Sequence, residues 1–376
     1  MAHVPESQEL PDLLGQVLDS RYKLIERLGA GAYGVVYKAL DTSSPSDHPV
    51  YYAIKCLKRQ RVGTREGVFQ ARELKLHEMV CSHPNVLTMH RYFSDGKHLF
   101  ILMDFCPGGD LFQEITEKHR FHRNTTLVKH IFLQILDAVE HCTRYSVYHR
   151  DLKPENILCD STGDNILLAD FGLATQSCLS NDLGLGSPYY MSPEALGTEL
   201  TRGTYAASHA QVWSLGVILT NMICGRNPWK LADTADDCFR AFLENNDFLL
   251  HVLPISQGAN EILKCCFKLH PSSRPSVSQL RTEILKLDTF FLSDEELAQS
   301  PSNLRAIAQY YAATIPEDEY SPEPEQEVTP CEESECGASG TSKSSNDSEE
   351  SYLYSTPPFG SPHLALEVPF SSGSSS

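Results

Sequence analysis

The run His149-Arg150-Asp151-Leu152-Lys153-Pro154-Glu155-Asn156, with Asp170-Phe171-Gly172 beginning fourteen residues after Asn156, constrains this chain more than any other feature. It sets two carboxylates, a carboxamide and a lysine along one short stretch. Carboxylate and amide oxygens suit a hard divalent cation. A second carboxylate beside a lysine can steer a proton and offset developing charge. The chain around this run changes character. Residues 22–105 read as strands and turns with one helix, and residues 106–292 read as mostly helix. A small β-rich unit followed by a larger helical one implies two lobes with a cleft between them.

In the first unit, Tyr22-Lys23-Leu24-Ile25 and Val50-Tyr51-Tyr52-Ala53-Ile54-Lys55 carry strand-forming residues, with a turn-rich loop over 43–48. Phe69 to Met79 has helical spacing among charges. His98 to Met103 reads as a buried strand before Pro107-Gly108-Gly109 breaks the chain. In the second unit, Leu127, Ile131, Phe132, Ile135, Leu136 and Val139 recur near the helical period. Val212 to Cys224, Cys238 to Leu243 and Ala259 to Phe267 are further predicted helices. Residues 1–21 read as a short leader. Residues 293–315 hold one more amphipathic helix, with Leu297, Leu304, Ile307 and Tyr311 on one face. From Pro316 the chain is rich in Glu, Ser, Pro and Gly. Residues 316–376 bury too little apolar surface to offset chain entropy, and an acidic disordered tail is expected there.

Composition narrows the function classes. Hydrophobic residues make up 41% of the chain, enough for a substantial core. No run of about 18 apolar residues occurs, so no membrane partner is expected. The N-terminus lacks the basic-then-apolar order of a secretory signal. The 12 cysteines are scattered and form no C-x-x-C. Reduced thiols in a cytoplasmic or nuclear protein fit better than disulfides or zinc. The net charge of −18 is uneven: 16 acidic and 2 basic residues lie from Ser293 onward, against 33 and 29 before it. The folded part is nearly neutral, and no nucleic-acid partner is expected.

Gly29-x-Gly31-x-x-Gly34-x-Val36 alone also fits dinucleotide-binding folds, but those open a helix at the third glycine. Here Val35-Val36-Tyr37 follows, so the glycines read as a β-hairpin folded over phosphates. Backbone N–H groups can then approach anionic oxygens with no Cβ in the way. Lys55 ends an apolar strand and supplies a cation for the α- and β-phosphates. It requires a carboxylate to hold it: Glu73 on the following helix is the choice, with Glu78 as the alternative.

Together these motifs resemble the eukaryotic serine/threonine protein kinases over residues 22–292. The resemblance implies a bilobal α+β fold, with an N-lobe over 22–105 and a C-lobe over 106–292. It also implies transfer of the γ-phosphoryl of ATP, with Mg2+, to serine or threonine hydroxyls of protein substrates. Asp151 then orients or accepts the proton of the acceptor hydroxyl, Asn156 and Asp170 hold magnesium, and Lys153 neutralises charge on the γ-phosphoryl. His149 packs rather than reacts. The lysine two residues after Asp151 is what serine/threonine enzymes have. The resemblance further implies that Met103 is the gatekeeper of the adenine pocket and that Asp104 to Cys106 form the hinge that bonds adenine. Val36, Ala53 and Leu158 would sandwich the base. Asp110 would reach the ribose or a basic substrate residue, and Glu155 an arginine upstream of the acceptor, so substrates with upstream basic residues are expected. Leu173, directly after Asp-Phe-Gly, leans toward serine as acceptor. Glu194, in Ser192-Pro193-Glu194, would pair with Arg274. Leu28 to Lys38, Ala53 to Leu57, Tyr148 to Leu158 and Cys224 to Trp229 are similar to the fungal kinases related to the fission-yeast inhibitor of meiosis, which implies nutrient or developmental signalling.

Two positions depart from the family pattern. Gln211 stands where the family has an aspartate that accepts backbone N–H bonds from the catalytic loop. An amide accepts more weakly, so a softened loop and reduced activity are expected. In segment 170–194, the positions where a phosphorylated residue usually meets Arg150 are Asp182 and Leu183. Either Asp182 supplies a fixed negative charge, or Ser177 or Ser180 is phosphorylated instead. Ser187 is expected to touch Asp151 or Lys153. A weakly active or inactive kinase-fold docking module is the competing reading. The acidic tail lies either in solvent or in the substrate cleft.

Overall fold

The computed structural model describes residues 12–31, 34–198 and 203–313. The first half of the expected leader, the tip of the glycine-rich hairpin and the expected disordered tail lie outside the described residues. The second half of the leader belongs to the fold: Leu13 is buried, and its N–H donates to the Tyr37 hydroxyl at 3.2 Å.

Six strands build the first lobe: β1 (Val17–Leu18), β2 (Tyr22–Gly31), β3 (Gly34–Asp41), β4 (Tyr51–Lys58), β5 (Met89–Ser94) and β6 (His98–Asp104). They form one antiparallel sheet in the order β1-β2-β3-β4-β6-β5. β3 alternates strictly, with Val35, Tyr37, Ala39 and Asp41 on the buried side and Val36 and Lys38 on the other. Its buried side joins Leu24, Ile54 and Phe100 in one apolar layer. Gly34 is required by packing: a Cβ there would lie 2.3 Å from the Cys56 carbonyl oxygen of β4.

Helix α1 (Arg65–Val80) crosses between β4 and β5. It begins four residues before the apolar spacing does, because the Thr64 hydroxyl accepts the Gly67 N–H at 3.1 Å and fixes the first turn.

The second lobe starts with α2 (Leu111–Thr116) and α3 (Thr125–Arg144), then the short hairpin β7 (Ile157–Cys159) and β8 (Ile166–Leu168). β9 (Leu179–Ser180) pairs with β10 (Tyr205–Ala206), and α4 (Pro193–Leu196) lies between them in sequence. α5 (Ala207–Cys224) is apolar on all sides and lies at the centre. Trp213 on α5 meets Trp229 at 5.5 Å and Phe267 at 5.1 Å between ring centroids. α6 (Asp237–Glu244) reaches α5 through Phe239 against Trp213, α7 (Phe248–Val252) joins α6 to α8 (Gln257–Cys266), which packs on α5, and α9 (Val277–Lys286) packs on α3 and α8.

The helix expected over 293–315 is two: α10 (Asp294–Gln299) and α11 (Ser302–Ala313). Pro301 lacks the N–H needed to carry one through to the other. Leu304 of α11 is buried, and α11 packs on α7.

The lobes are joined by the strand end at Asp104 and, behind the cleft, by backbone bonds. The Leu87 N–H donates to the Leu168 carbonyl and the Leu168 N–H to the Asn85 carbonyl, both at 2.9 Å. An apolar layer of Leu57, Leu99, Ile101 and Met103 continues into Leu158, Leu167 and Ala169. The hairpin that carries Leu158 and leads to Asp170 is therefore fixed against the sheet.

Candidate active site

Lys55 lies on β4 opposite Val36 of β3. Its ammonium donates to Glu73 Oε1 and to Asp170 Oδ1, each at 2.8 Å. Burial works against its charge, but Asp170 and Glu73 outweigh it and hold Lys55 protonated, above the usual lysine range. Desolvation likewise opposes charge on Asp170, and Lys55 prevails, holding that carboxyl down at about 2. Glu78, five residues past Glu73, is turned well over a third of a revolution away and is exposed. Glu73 is the partner; Glu78 is not.

The loop 149–156 closes on itself and on Ser187. Asp151 Oδ1 accepts the Ser187 N–H at 2.9 Å, and its Oδ2 lies 3.1 Å from the Lys153 ammonium. Lys153 also donates to the Ser187 hydroxyl at 2.9 Å. The Asn156 amide N–H2 donates to the Asp151 carbonyl at 2.8 Å and to Oδ2 at 3.1 Å. That leaves the Asn156 amide oxygen, with a carboxylate oxygen of Asp170, as hard donors at the cleft. No group of three His, Cys, Asp or Glu side chains among the described residues could hold a metal by itself. One amide and one carboxylate, completed by phosphate oxygens and water, fit magnesium, which is seldom caged by protein alone.

Arg150 and Asp170 both take left-handed backbone, at φ 66° and 62°. Such conformations persist only when the surroundings impose them. His149 supplies part of this: its N–H donates to Gln211 Oε1 at 3.1 Å, and its Nε2 meets the Ala169 carbonyl at 2.9 Å. The Gln211 Nε2 is buried without a hydrogen-bond partner.

His77 escaped the sequence reading. Its imidazole is buried, its Nε2 lies 2.7 Å from the Leu87 carbonyl, and its ring stacks on Phe171 at 4.9 Å. His149 also meets Phe171, edge to face, at 5.1 Å. Phe171, next to Asp170, thus contacts two imidazoles. The available signal was the four-residue step from Glu73, which puts His77 on the same helix face.

Around the expected adenine pocket, Ala53 and Met103 are cross-strand neighbours, and Val36 and Leu158 come from β3 and β7. Asp104 turns its carboxylate to His90 at 2.7 Å and spends its N–H on the Thr88 carbonyl at 3.2 Å. Cys106 is half-buried, and burial raises its thiol to about 12, so it stays protonated. Gly29 has open space where a Cβ would stand. Gly31 pairs with Gly34 where the hairpin closes.

Asp110 caps α2, accepting the Gln113 N–H at 2.9 Å. Burial, and more weakly the nearby Glu155, raise its carboxyl to about 6. Burial raises Glu155 as well.

In the segment after Asp170, Arg150 Nη1 meets Asp182 Oδ2 at 2.8 Å and the Ser180 hydroxyl at 2.9 Å. Farther on, Glu194 receives a two-pronged bond from Arg274, at 2.5 and 2.8 Å, with both side chains buried. The Arg274 guanidinium also lies over the Trp213 ring at 4.9 Å.

Comparison with known proteins gives the same outline. The family described as "Protein kinase domain" matches residues 22–284. The fission-yeast (Schizosaccharomyces pombe) "Negative regulator of sexual conjugation and meiosis" is 40% identical over 296 residues, covering 74% of this chain and 62% of that protein. The budding-yeast (Saccharomyces cerevisiae) "Serine/threonine-protein kinase VHS1" is 29% identical over 354 residues, covering 79% and 76%. A second fission-yeast protein, "Serine/threonine-protein kinase ksp1", is 32% identical over 284 residues, covering 73% and 59%. The chain thus spans about three fifths of the length of the two fission-yeast relatives.

Proposed function

The chain belongs to the protein kinase family, and from that premise we propose that it transfers the γ-phosphoryl of ATP to serine or threonine hydroxyls of protein substrates. The observation that carries the reading is the closed set Glu73–Lys55–Asp170 beside Asp151, Lys153 and Asn156. When bound, MgATP supplies the reactive phosphorus, and Asn156 and Asp170 would hold the metal. Lys55, kept charged by two carboxylates, offsets phosphate charge. Asp151, fixed by Ser187 and Asn156, orients the acceptor hydroxyl and takes its proton. Lys153, within reach of both Asp151 and Ser187, offsets charge at the transferring group. Catalysis of this kind rests on positioning and electrostatics.

The preferred substrates carry basic residues upstream of the acceptor. Asp110 and Glu155 are carboxyls whose ionisation burial opposes, and Glu155 adds to the rise at Asp110. A cation seated there would relieve both. The fission-yeast relative's name supports a role in developmental signalling, and reduced thiols fit a cytoplasmic or nuclear setting.

The test is phosphate transfer from MgATP to a serine peptide with upstream arginines, with Asp151→Asn as control. Transfer is expected from the natural chain, with at least a hundredfold loss in the variant, in line with the general weight of acid–base catalysis, about 10²–10⁴. A natural chain no faster than the variant would leave the inactive docking module as the reading.

A further inference from the structure

A second charged surface runs along α1, with Arg65 and Arg72 within electrostatic reach of Asp182. The turn before α1 and the helix itself carry Arg59, Arg61, Arg65, Arg72 and Lys75 against Glu66, Glu73 and Glu78, and Glu73 is committed to Lys55. Arg59, Arg61, Arg65, Arg72 and Lys75 form no ion pair among the described residues. Arg65 and Arg72 stand over the Phe69 ring at 5.5 and 4.6 Å. The Arg72 Nε and Nη2 are buried with no hydrogen-bond partner. Burial and the nearby Arg150 push the Arg72 pKa down, and Asp182 only partly opposes them. Arg65, Val68, Phe69 and Arg72 fall at three- and four-residue steps on one helix face. Val68 is 60% exposed there, and Val62, just ahead of the helix, is 98% exposed. The surface is therefore cationic and apolar at once.

The chain carries a segment of the complementary kind. Asp347-Ser348-Glu349-Glu350-Ser351-Tyr352-Leu353-Tyr354 puts three acids one serine ahead of three large apolar or aromatic side chains. The substrate cleft is a poor seat for it, because Asp110 and Glu155 already oppose each other's charge there. We propose that segment 347–354 of the same chain docks on the Arg61–Arg72 face of α1. Its carboxylates meet Arg61 and Arg65, and Tyr352 and Leu353 cover Val62, Val68 and Phe69.

Reach does not oppose this. The 33 residues between Ala313 and Asp347 span up to about 110 Å when extended, against roughly 50 Å across a folded unit of this size. The other acidic stretches, Glu317-Asp318-Glu319 and Glu332-Glu333-Ser334-Glu335, are not followed by three large apolar or aromatic side chains. Attachment in one chain gives the segment an effective concentration near the millimolar range, so modest affinity suffices. The contact involves none of the reacting groups and can be read without any phosphate-transfer assay.

A benzophenone amino acid placed at position 352 of the full-length chain provides the test. On illumination it is expected to cross-link to peptides covering residues 61–72, within one chain and independently of protein concentration. The yield should fall several-fold between 50 and 500 mM salt, where screening shortens from roughly 14 to 4 Å. It should fall as far in Arg61→Ser/Arg65→Ser, whose folding is verified by circular dichroism. Cross-links confined to residues 293–376, to the cleft or to a second chain would overturn the proposal. So would a yield indifferent to salt and to the double substitution.

Discussion

Arg150 and Asp182 meet at 2.8 Å, with the guanidinium 2% exposed and the carboxylate 37% exposed. The pair joins the catalytic loop to the segment that delivers Ser187 to Asp151. The hydrogen bond from Arg150 holds the Asp182 carboxyl below its ordinary range. Of the two readings of this segment, a fixed charge on Asp182 predicts activity without phosphorylation. Asp182→Asn keeps the shape and removes the charge, leaving the Arg150 guanidinium without its counter-ion. Its kcat/KM should drop about tenfold, a charged hydrogen bond discounted for partial exposure. Phosphatase-treated natural protein should keep its activity. A fully active Asp182→Asn, or a natural protein silenced by phosphatase, would instead assign the role to a modified Ser177 or Ser180.

Gln211 gives a second, opposite expectation. Its Oε1 holds the His149 N–H, while its Nε2 has no partner in the core. A carboxylate would replace an orphaned donor with a second acceptor and would bind the loop N–H groups more strongly. Desolvation of the new charge takes back part of this gain. Gln211→Asp should raise the melting temperature by a few degrees and turnover several-fold. Calorimetry and initial rates on one preparation check both, and no change in either would mean that the amide does not soften the loop.

The sequence disclosed those features that depend on local spacing. The two-lobed order followed from strand-type residues before Pro107 and helical periodicity after it. The Lys55–Glu73 partnership followed from helix position, and Asp182 from its distance to Glu194. Features that depend on three-dimensional neighbours stayed hidden. His77 reads as one more polar residue on a charged helix until Leu87 and Phe171 are folded against it. Gly34 reads as a phosphate-loop glycine, whereas its tightest constraint is the β4 backbone. The helix break at Pro301 was visible in the sequence, yet shared apolar spacing on either side concealed it.

The Glu194–Arg274 pair permits a stability measurement independent of activity. Both side chains are buried, and Arg274 also donates to the Lys268 and His209 carbonyls at 2.9 and 3.0 Å. Glu194→Ala leaves a buried guanidinium without its anion and should cost about 3–5 kcal/mol in urea unfolding. Glu194→Ala combined with Arg274→Met should recover a substantial part, because the unpaired charge is then gone. A double variant as unstable as Glu194→Ala would mean that the loss comes from packing around Trp213 and not from charge.

His77 makes the fold sensitive to acid. Burial lowers its pKa from 6.5 to about 4, with Lys55 adding to the effect and the Leu87 carbonyl opposing it. Folding therefore favours the neutral ring, and the unfolded chain binds the proton more readily. The contribution is complete above the unfolded value near 6.5. It is lost as pH falls through the window from 6.5 to 4, and is constant below that. Between pH 7.5 and pH 5 the natural protein should lose about 2 kcal/mol through this group alone. Carboxylates titrate over part of the same range, so the informative quantity is the difference from His77→Leu. That variant leaves the Leu87 carbonyl unpaired at every pH, a fixed penalty that cancels when two pH values are compared. Urea unfolding at pH 7.5 and pH 5 should show the natural protein falling more steeply than His77→Leu by about that amount. Parallel losses would mean that the ring between Leu87 and Phe171 takes up its proton without opening the packing around Phe171.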